Sequence, residues 1–213
     1  MERVYKRHNE AMAEKAVKAL EKNQFHAIYF ETKEQAENFI MYHIKSGDVV
    51  AFGGSVTIKS MDIKKKIRSI GGTIIDHGEP GLTKEEKMDI MRRELTSDLF
   101  LCSSNAVTLD GKLINVDGVG NRVAAITFGP KKVIMVVGIN KIVEDEEAAF
   151  KRIKNIASPK NNKRLACNNP CTNTGKCFDC DSKNRICRAY SILKRKPMMS
   201  DISVVIIGEE LGF

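Results

Sequence analysis

Short apolar segments alternate with amphipathic segments along the first half of the chain, and this alternation constrains the fold more than any other feature. Amphipathic segments begin at Thr32 and Thr83, followed three residues later by Gln35 and Glu86, which is the pattern of a helical capping box. Because strands that alternate with helices need crossover connections, the pattern predicts an α/β fold with a mainly parallel sheet flanked by helices. The predicted strands of this half cover residues 26–30, 48–52, 73–76 and 98–102.

The alternation ends after the fourth predicted strand. Residues 105–116 form two short apolar runs on either side of an Asp-Gly pair, which predicts a β-hairpin with a type I′ turn. Further buried strands are predicted at 133–137 and 202–207, with a helix at 144–156 between them. The cysteine-rich stretch precedes the last strand, so we expect a single domain of residues 1–213 with an insertion at 157–200.

The beginning of the chain is charged and amphipathic. The first twenty residues are rich in Lys, Arg and Glu, and they lack the apolar stretch of a signal peptide. The longest apolar run has the length of one strand, far short of the roughly 18 residues that a membrane span needs. We therefore expect a cytoplasmic protein without a membrane span, whose first helix could pack against a second copy in a homodimer.

Five of the six cysteines lie close together near the C-terminus, at Cys167, Cys171, Cys177, Cys180 and Cys187. In a reducing cytoplasm such a cluster favours metal or redox chemistry over structural disulfides. The Cys177-x2-Cys180 step places two thiolates on one side of a tight turn, where they can share a metal. Four thiolates would satisfy a [4Fe–4S] cluster or zinc, with Cys167 as the substitute or spare ligand. Reduced thiols or a redox disulfide are the remaining alternatives.

The basic charge of the chain is concentrated around these cysteines. Residues 151–200 contain 13 Lys or Arg and 2 Asp, a local net charge of +11 against +8 for the whole chain. The remainder of the chain is therefore net negative. These cations would offset the charge of metal-bound thiolates. Aromatic residues are almost absent between them, so the segment does not resemble a nucleic-acid surface.

Two glycine-bearing loops are candidates for ligand binding. Gly53-Gly54-Ser55-Val56-Thr57 joins a strand to a predicted helix over residues 55–70, and ligands of open parallel sheets bind at such strand ends. Free N–H groups at the helix start and the two hydroxyls could hold an anion. The second loop, Asp117-Gly118-Val119-Gly120-Asn121-Arg122, carries a guanidinium that could bind a carboxylate or phosphate. The alternatives are a tight turn with a serine cap and a loop with a surface arginine.

Isolated residues contribute less to a functional interpretation. His77 follows a predicted strand end, where a ligand site could lie, but a satisfied loop histidine is the simpler interpretation. Cys102 ends a predicted strand and fits a packed core residue. Neither a Ser-His-Asp context nor a pair of catalytic carboxylates is present in the pattern.

Several stretches of the chain resemble the LUD family of lactate-utilisation proteins. The resemblance lies in Leu101–Ala125, Phe128–Ile134, the Gly53–Ser55 turn and the ending Val205–Phe213. The cysteine stretch Pro170–Cys187 is similar to that of a stand-alone subgroup. The resemblance implies a fold like those of ribose-5-phosphate isomerase, glucosamine-phosphate deaminase and the CoA transferases. It also implies a role in the oxidation of L-lactate to pyruvate, in a complex with iron–sulfur proteins.

The resemblance further implies that the two loops and Asn105 face one pocket for an anionic small molecule. In this hypothesis Gly53, Gly54, Ser55 and Thr57 hold the anionic group, while Asn121 and Arg122 orient it. Two alternatives stay open. One is a metal-dependent binding or sensor module that contacts a partner protein or nucleic acid. The other is a transferase or cyclo-ligase acting on CoA esters or phosphorylated substrates, with Glu209 as the nucleophile.

Overall fold

The chain folds around a six-stranded parallel sheet, and the computed structural model describes residues 2–213. The strands are, in chain order, β1 (His26–Phe30), β2 (Val49–Phe52), β3 (Thr73–Ile75), β4 (Leu99–Cys102), β5 (Ala106–Thr108), β6 (Leu113–Asp117), β7 (Lys132–Gly138), β8 (Ile142–Val143), β9 (Ala189–Leu193) and β10 (Ile202–Ile207). The main sheet has the order β1-β10-β7-β4-β2-β3, and every neighbouring pair in it is parallel. The predicted α/β class and the mainly parallel sheet are confirmed.

Helices connect and cover these strands. They are α1 (Glu2–Lys22), α2 (Lys33–Tyr42), α3 (Val56–Lys59), α4 (Ile63–Ser69), α5 (Lys84–Glu94), α6 (Asn121–Thr127), α7 (Glu146–Arg152), α8 (Ser158–Arg164) and α9 (Pro170–Thr174). Both predicted capping boxes are present, at Thr32 with Gln35 and at Thr83 with Glu86. Within residues 2–213 no helix combines the length and the apolar character that crossing a membrane requires.

Both faces of the main sheet are buried. One face packs against α1 through Ala13, Ala16 and Leu20, and the other against α2 and α4 through Ile40 and Ile67. Coverage on both sides explains why β10 is apolar at nearly every position rather than alternating. The second sheet has the order β8-β5-β6-β9, and α7 packs on β5 and β6.

The β5–β6 hairpin has a different turn from the predicted type I′. That turn requires positive φ at both central residues, whereas Gly111 has a φ of +81° and Asp110 does not have a positive φ. The N–H of Gly111 donates to Thr108 O at 2.9 Å, and the N–H of Thr108 donates to Lys112 O at 3.0 Å. The side chain of Asn23 donates to the carbonyls of both turn residues at 2.9 Å. The end of α1 therefore fixes a longer turn with one left-handed glycine.

Two predicted helices have different boundaries. The helix predicted over residues 55–70 is split into α3 and α4 by Ser60–Asp62. The helix predicted over 144–156 continues through a π-helical segment, Ile153–Ala157, into α8. Pro159 follows this segment and has no N–H to donate to the preceding turn, so the hydrogen-bond ladder widens there.

The predicted insertion at 157–200 contains regular structure. Both α8 and α9 lie in it, and β9 pairs antiparallel with β6 over Ala189–Leu193. The end of this segment therefore belongs to the second sheet. The edge strands β8 and β9 are missing from the sequence-based assignment because β8 has two residues and β9 is exposed on one face. That the chain is one domain with an insertion stays a prediction.

We expect Gly111→Ala to destabilise the fold more than Gly81→Ala. Both glycines have left-handed φ, +81° and +82°, which costs about 1–2 kcal/mol for any other residue. A Cβ at Gly111 would also lie 2.4 Å from the carbonyl carbon of Ala19, while at Gly81 nothing lies within 4 Å. Urea unfolding should show a loss of about 3 kcal/mol or more at Gly111 and about 1 kcal/mol at Gly81. Equal losses would contradict the close contact between α1 and the hairpin.

Candidate functional site

A cavity of about 320 Å³ lies at the carboxyl-terminal edge of the main sheet, next to the second sheet. Its walls come from the loops after β2, β3 and β4, from the β6–α6 loop, from the turn after β7, and from α8. Ligand sites of open parallel sheets lie at this edge because the loops after several strands converge there.

The cavity brings together nine of the ten residues that the sequence predicts to bind a ligand. They are Gly53, Gly54, Ser55, Thr57, Asn105, Asp117, Gly118, Asn121 and Arg122. Gly120 is outside the lining and precedes α6 with a φ of +95°. The structure therefore places both predicted loops around one space. Binding of a ligand by these residues stays a prediction.

The loop after β2 offers backbone donors to this space. A Cβ on Gly53 would lie 2.7 Å from Cζ of Phe100, so only glycine lets the loop pack this closely. The hydroxyl oxygen of Ser55 accepts from the N–H of Ile58 at 3.2 Å and caps α3. The N–H groups of residues 54–57 have no acceptor among residues 2–213. They can therefore donate to a bound anion.

Thr57 lines the cavity with a side chain that belongs to a buried polar network. Its Oγ1 donates to Leu211 O at 3.2 Å and accepts from Nζ of Lys141 at 2.9 Å. Lys141, which the sequence does not identify, also donates to Oγ of Ser103 at 2.8 Å and is 3% exposed. Burial, and then the positive charges of Arg152 and Arg122, lower the pKa of Lys141 to about 7. Oγ1 of Thr57 thus contacts this amine, and the predicted role of Thr57 in holding a ligand stays a prediction.

Arg122 joins protein segments to one another, and its predicted role in orienting a ligand stays a prediction. Its Nε and Nη2 donate to Oδ1 of Asp117 at 3.1 and 2.8 Å. Nη2 also donates to Oδ1 of Asn105 at 2.9 Å and to Val116 O at 3.0 Å. Nη1 donates to Ser103 O at 2.8 Å. With its donors taken by protein acceptors, Arg122 positions Asn105 and Asp117 and closes one side of the cavity.

His77 and Glu94 form a buried pair that opens on the cavity. Nδ1 of His77 lies 2.6 Å from Oε1 of Glu94, whose side chain is 1% exposed. Nε2 points toward the loop after β2, since a Cβ on Gly54 would lie 3.5 Å from it. Burial opposes the charged ring, but the hydrogen bond and charge of Glu94, then the charges of Asp76 and Asp117, raise the pKa of His77 above 6.5. A histidine oriented by a carboxylate is suited to acid–base chemistry.

The sequence identifies His77 only as a loop histidine and does not identify Glu94. The partner sits at the end of α5, seventeen residues away, and no local pattern connects the two. Ligand atoms of Asp76, His77 and Glu94 lie within 4.8 Å of one another, as in a metal site. Nζ of Lys64 is 2.6 Å from Oδ2 of Asp76, however, so this carboxylate already has a cation.

Glu209 is outside the cavity lining. Its Oε1 accepts from the N–H of Lys33 at 2.8 Å and fixes the start of α2. The structure thus gives the proposed nucleophile a structural partner at another place in the fold.

Four of the five predicted metal-binding cysteines line a second cavity of about 10 Å³. They are Cys171, Cys177, Cys180 and Cys187. Burial raises the pKa of Cys171, and the other three thiols of this group raise it further. Cys167 is outside this lining. Cys102 is a packed core residue, as predicted, and burial raises its pKa to about 12.

We expect Arg122→Ala to lower the free energy of unfolding by about 3–5 kcal/mol, because it leaves the buried carboxylate of Asp117 without its partner. Both side chains are nearly buried, at 12% and 10% exposure. The matched control is Arg92→Ala, which breaks a pair with Asp89 whose side chains are both 72% exposed. Its cost should be at most about 0.5 kcal/mol. Similar losses in denaturant titrations of the two variants would contradict the structural role of Arg122.

The lowered pKa of Lys141 predicts a pH-dependent stability. Between about 7 and the ordinary value of 10.5, the unfolded chain binds a proton that the folded chain lacks, so the folded state gains stability as pH rises. This gain in folding stability from the neutral Lys141 amine is complete above pH 10.5 and is lost as the pH falls to about 7. The difference in unfolding free energy between wild type and Lys141→Met should therefore rise by up to about 1.4 kcal/mol per pH unit. Lys131→Met, at a 79% exposed side chain, should keep the wild-type slope, and an unchanged slope in Lys141→Met would refute the assignment.

Comparison with known proteins agrees with this architecture. The LUD domain family model matches residues 13–207. The crystal structure of a DUF162 family protein from Deinococcus radiodurans superposes with a TM-score of 0.51 at 13% identity, covering 94% of this chain and 98% of that chain. At this identity the likeness shows a shared fold. The beta subunit of eIF2B from Chaetomium thermophilum gives a TM-score of 0.35 at 21% identity over 53% of this chain and 39% of that one, too low to carry an argument.

No curated protein gives a match to the chain. The family model nevertheless extends from within α1 to the end of β10, and so includes both sheets and every lining residue of the cavity except Phe213. The chain belongs to the LUD domain family.

Proposed function

We propose that the chain binds a small organic anion in the cavity between its two sheets, and that His77 exchanges a proton with this ligand. The observation that carries the proposal is the pair of His77 and the buried Glu94, in which Nδ1 of His77 lies 2.6 Å from Oε1 of Glu94. This pair lies beside the loop after β2, whose backbone amides are free to donate. A carboxylate fixes the ring through Nδ1 and leaves Nε2 available to the cavity.

The electrostatics of the cavity support an anionic ligand. The raised pKa of His77 keeps part of its population positively charged at neutral pH, and Lys141 contributes a second ionisable amine. Arg164 of α8 also lines the cavity. The carboxylate of Asp117 is matched by Arg122, so it does not dominate the field at the site. Backbone N–H donors near these cations form an arrangement that favours a carboxylate or phosphate group.

The size of the cavity suggests a ligand of few atoms. At about 320 Å³ it is at the lower end of the range for small-molecule sites. A 2-hydroxy or 2-oxo acid would present its carboxylate to the amides of residues 54–57 and its oxygen at carbon 2 to His77. Such a ligand agrees with a role of the LUD family in lactate metabolism. Association with iron–sulfur proteins, an L-lactate oxidising system and a homodimer stay predictions.

The alternative functions have less support. A transferase or cyclo-ligase that uses Glu209 as nucleophile is disfavoured. That carboxylate lies outside the cavity lining and accepts a hydrogen bond from the start of α2. A metal-dependent module that contacts a partner protein or nucleic acid stays an alternative for the basic segment. Binding to nucleic acid that weakens strongly as the salt concentration rises would favour this alternative.

Isothermal titration calorimetry with L-lactate, pyruvate and inorganic phosphate tests the proposal. We expect at least one of these probes to bind the wild type, and His77→Ala to weaken its affinity at pH 6.5 by about tenfold or more, because a charged hydrogen-bond donor is lost. His43→Ala is the matched control, since this histidine is also partly buried but packs on Phe39 outside the cavity. The His43→Ala variant should bind the probe with the affinity of the wild type.

The pH dependence gives a second measure. Affinity should fall as pH rises through the raised pKa of His77, and Glu94→Gln should move this midpoint to lower pH by removing the charge that stabilises the ring. The proposal fails if no probe binds, or if His77→Ala and Glu94→Gln keep the wild-type affinity and midpoint.

A further inference from the structure

The cysteine stretch places four cysteines around one small cavity. Cys171 is buried on α9, Cys177 and Cys180 lie in the turn that follows, and Cys187 precedes β9. All four line the cavity of about 10 Å³. Cys167 is not in that lining, and its thiol has a weak contact of 3.9 Å with Leu165 O. The fold thus separates one cysteine from the other four.

The backbone around these thiols has the form of a metal-binding turn. The N–H of Asp179 points at Sγ of Cys177 at 3.3 Å, and Asp179 adopts a left-handed φ of +49° to do so. An N–H directed at sulfur stabilises a thiolate. Arg185 donates to Cys180 O at 2.8 Å and its guanidinium is 3.0 Å from a carboxylate oxygen of Asp179, which ties the turn to the segment that precedes β9.

An unsatisfied polar group lies at the same place. Asn169 lines the cavity of the four thiols and is 2% exposed. Its Nδ2 donates to Asn184 O at 3.0 Å, but its Oδ1 is buried and has no hydrogen-bond partner. Buried polar atoms without a partner are rare, and a bound ion or water is one explanation for them. This oxygen is therefore able to bond to a further species in the cavity.

We propose that Cys171, Cys177, Cys180 and Cys187 form a four-thiolate metal centre, and that Cys167 is not a ligand. Thiolates select zinc or iron–sulfur clusters over hard cations. In the described chain no three of these sulfurs lie within 4.8 Å of one another, so a bound metal would set their final arrangement. Four thiolates satisfy either zinc or a [4Fe–4S] cluster, and metal analysis distinguishes the two.

The metal centre would share a wall with the ligand cavity. Ser158 lines both cavities, and its Oγ is 3.2 Å from Sγ of Cys187. Ile186, next to Cys187 in sequence, lines the ligand cavity. It packs closely on Gly118, because a Cβ on Gly118 would lie 3.2 Å from Cα of Ile186. Metal binding would thus fix the α8 side of the ligand cavity.

The test uses the full chain, purified without oxygen and incubated separately with iron plus sulfide and with zinc. In the first case we expect about four iron and four sulfide per chain and a broad absorption near 400 nm. Cys→Ser variants at 171, 177, 180 and 187 should each lose at least about four fifths of the metal, while Cys167→Ser keeps it. One zinc per chain with the same variant pattern would also support the ligand set and identify the metal as zinc.

Alkylation of the metal-loaded wild type tests the ligand set without a variant. Mass spectrometry after iodoacetamide treatment should find Cys167 modified and the four ligands protected, and chelation should expose them. Circular dichroism shows whether the serine variants keep the fold. Equal metal loss in Cys167→Ser and Cys177→Ser, or failure of the wild type to bind iron–sulfur or zinc while its thiols react freely, would overturn the proposal.

Discussion

The guanidinium of Arg122 connects the two sheets at the edge where the cavity forms. It bonds to Ser103 O directly after β4 of the main sheet, and to Val116 O and Asp117 on β6 of the second sheet. A buried arginine stays charged, so its acceptors must be held in place to offset the loss of hydration. The positions of the β4–β5 connection, β6 and α6 therefore depend on one side chain, and so does the shape of the cavity between them.

The cavity contains ionisable groups in three different environments. Arg122 is fully matched by protein acceptors, Lys141 is buried beside hydroxyls with a lowered pKa, and His77 is paired with a buried carboxylate that raises its pKa. Groups whose pKa values are shifted toward neutrality in one cleft are typical of functional sites. The arrangement also separates roles, because the matched arginine supports the walls while the histidine faces the open space.

The cysteine segment forms part of the cavity wall because of the path that it takes through the fold. It leaves the main domain at the π-helical segment before α8, passes the four thiols, and returns as β9 at the edge of the second sheet. Its α8 residues and Ile186 form one side of the ligand cavity. Of the basic residues in this segment, Arg164 of α8 lies in the cavity lining.

Local patterns in the sequence determined the α/β class, the capping boxes and most strands of the main sheet. These follow from periodicity and from residue types that act within a few positions. The meeting of the two glycine-bearing loops was expected only from the family resemblance, because the second loop follows β6, an antiparallel strand of the other sheet. The tertiary structure alone decided which groups pair across the chain. Glu94 meets His77 from the end of α5, Arg122 donates to carbonyl and carboxylate oxygens of the protein, and Lys141 is buried among hydroxyls. Such contacts depend on packing between segments far apart in sequence, and a side chain's protonation and availability are set by the neighbours it meets there.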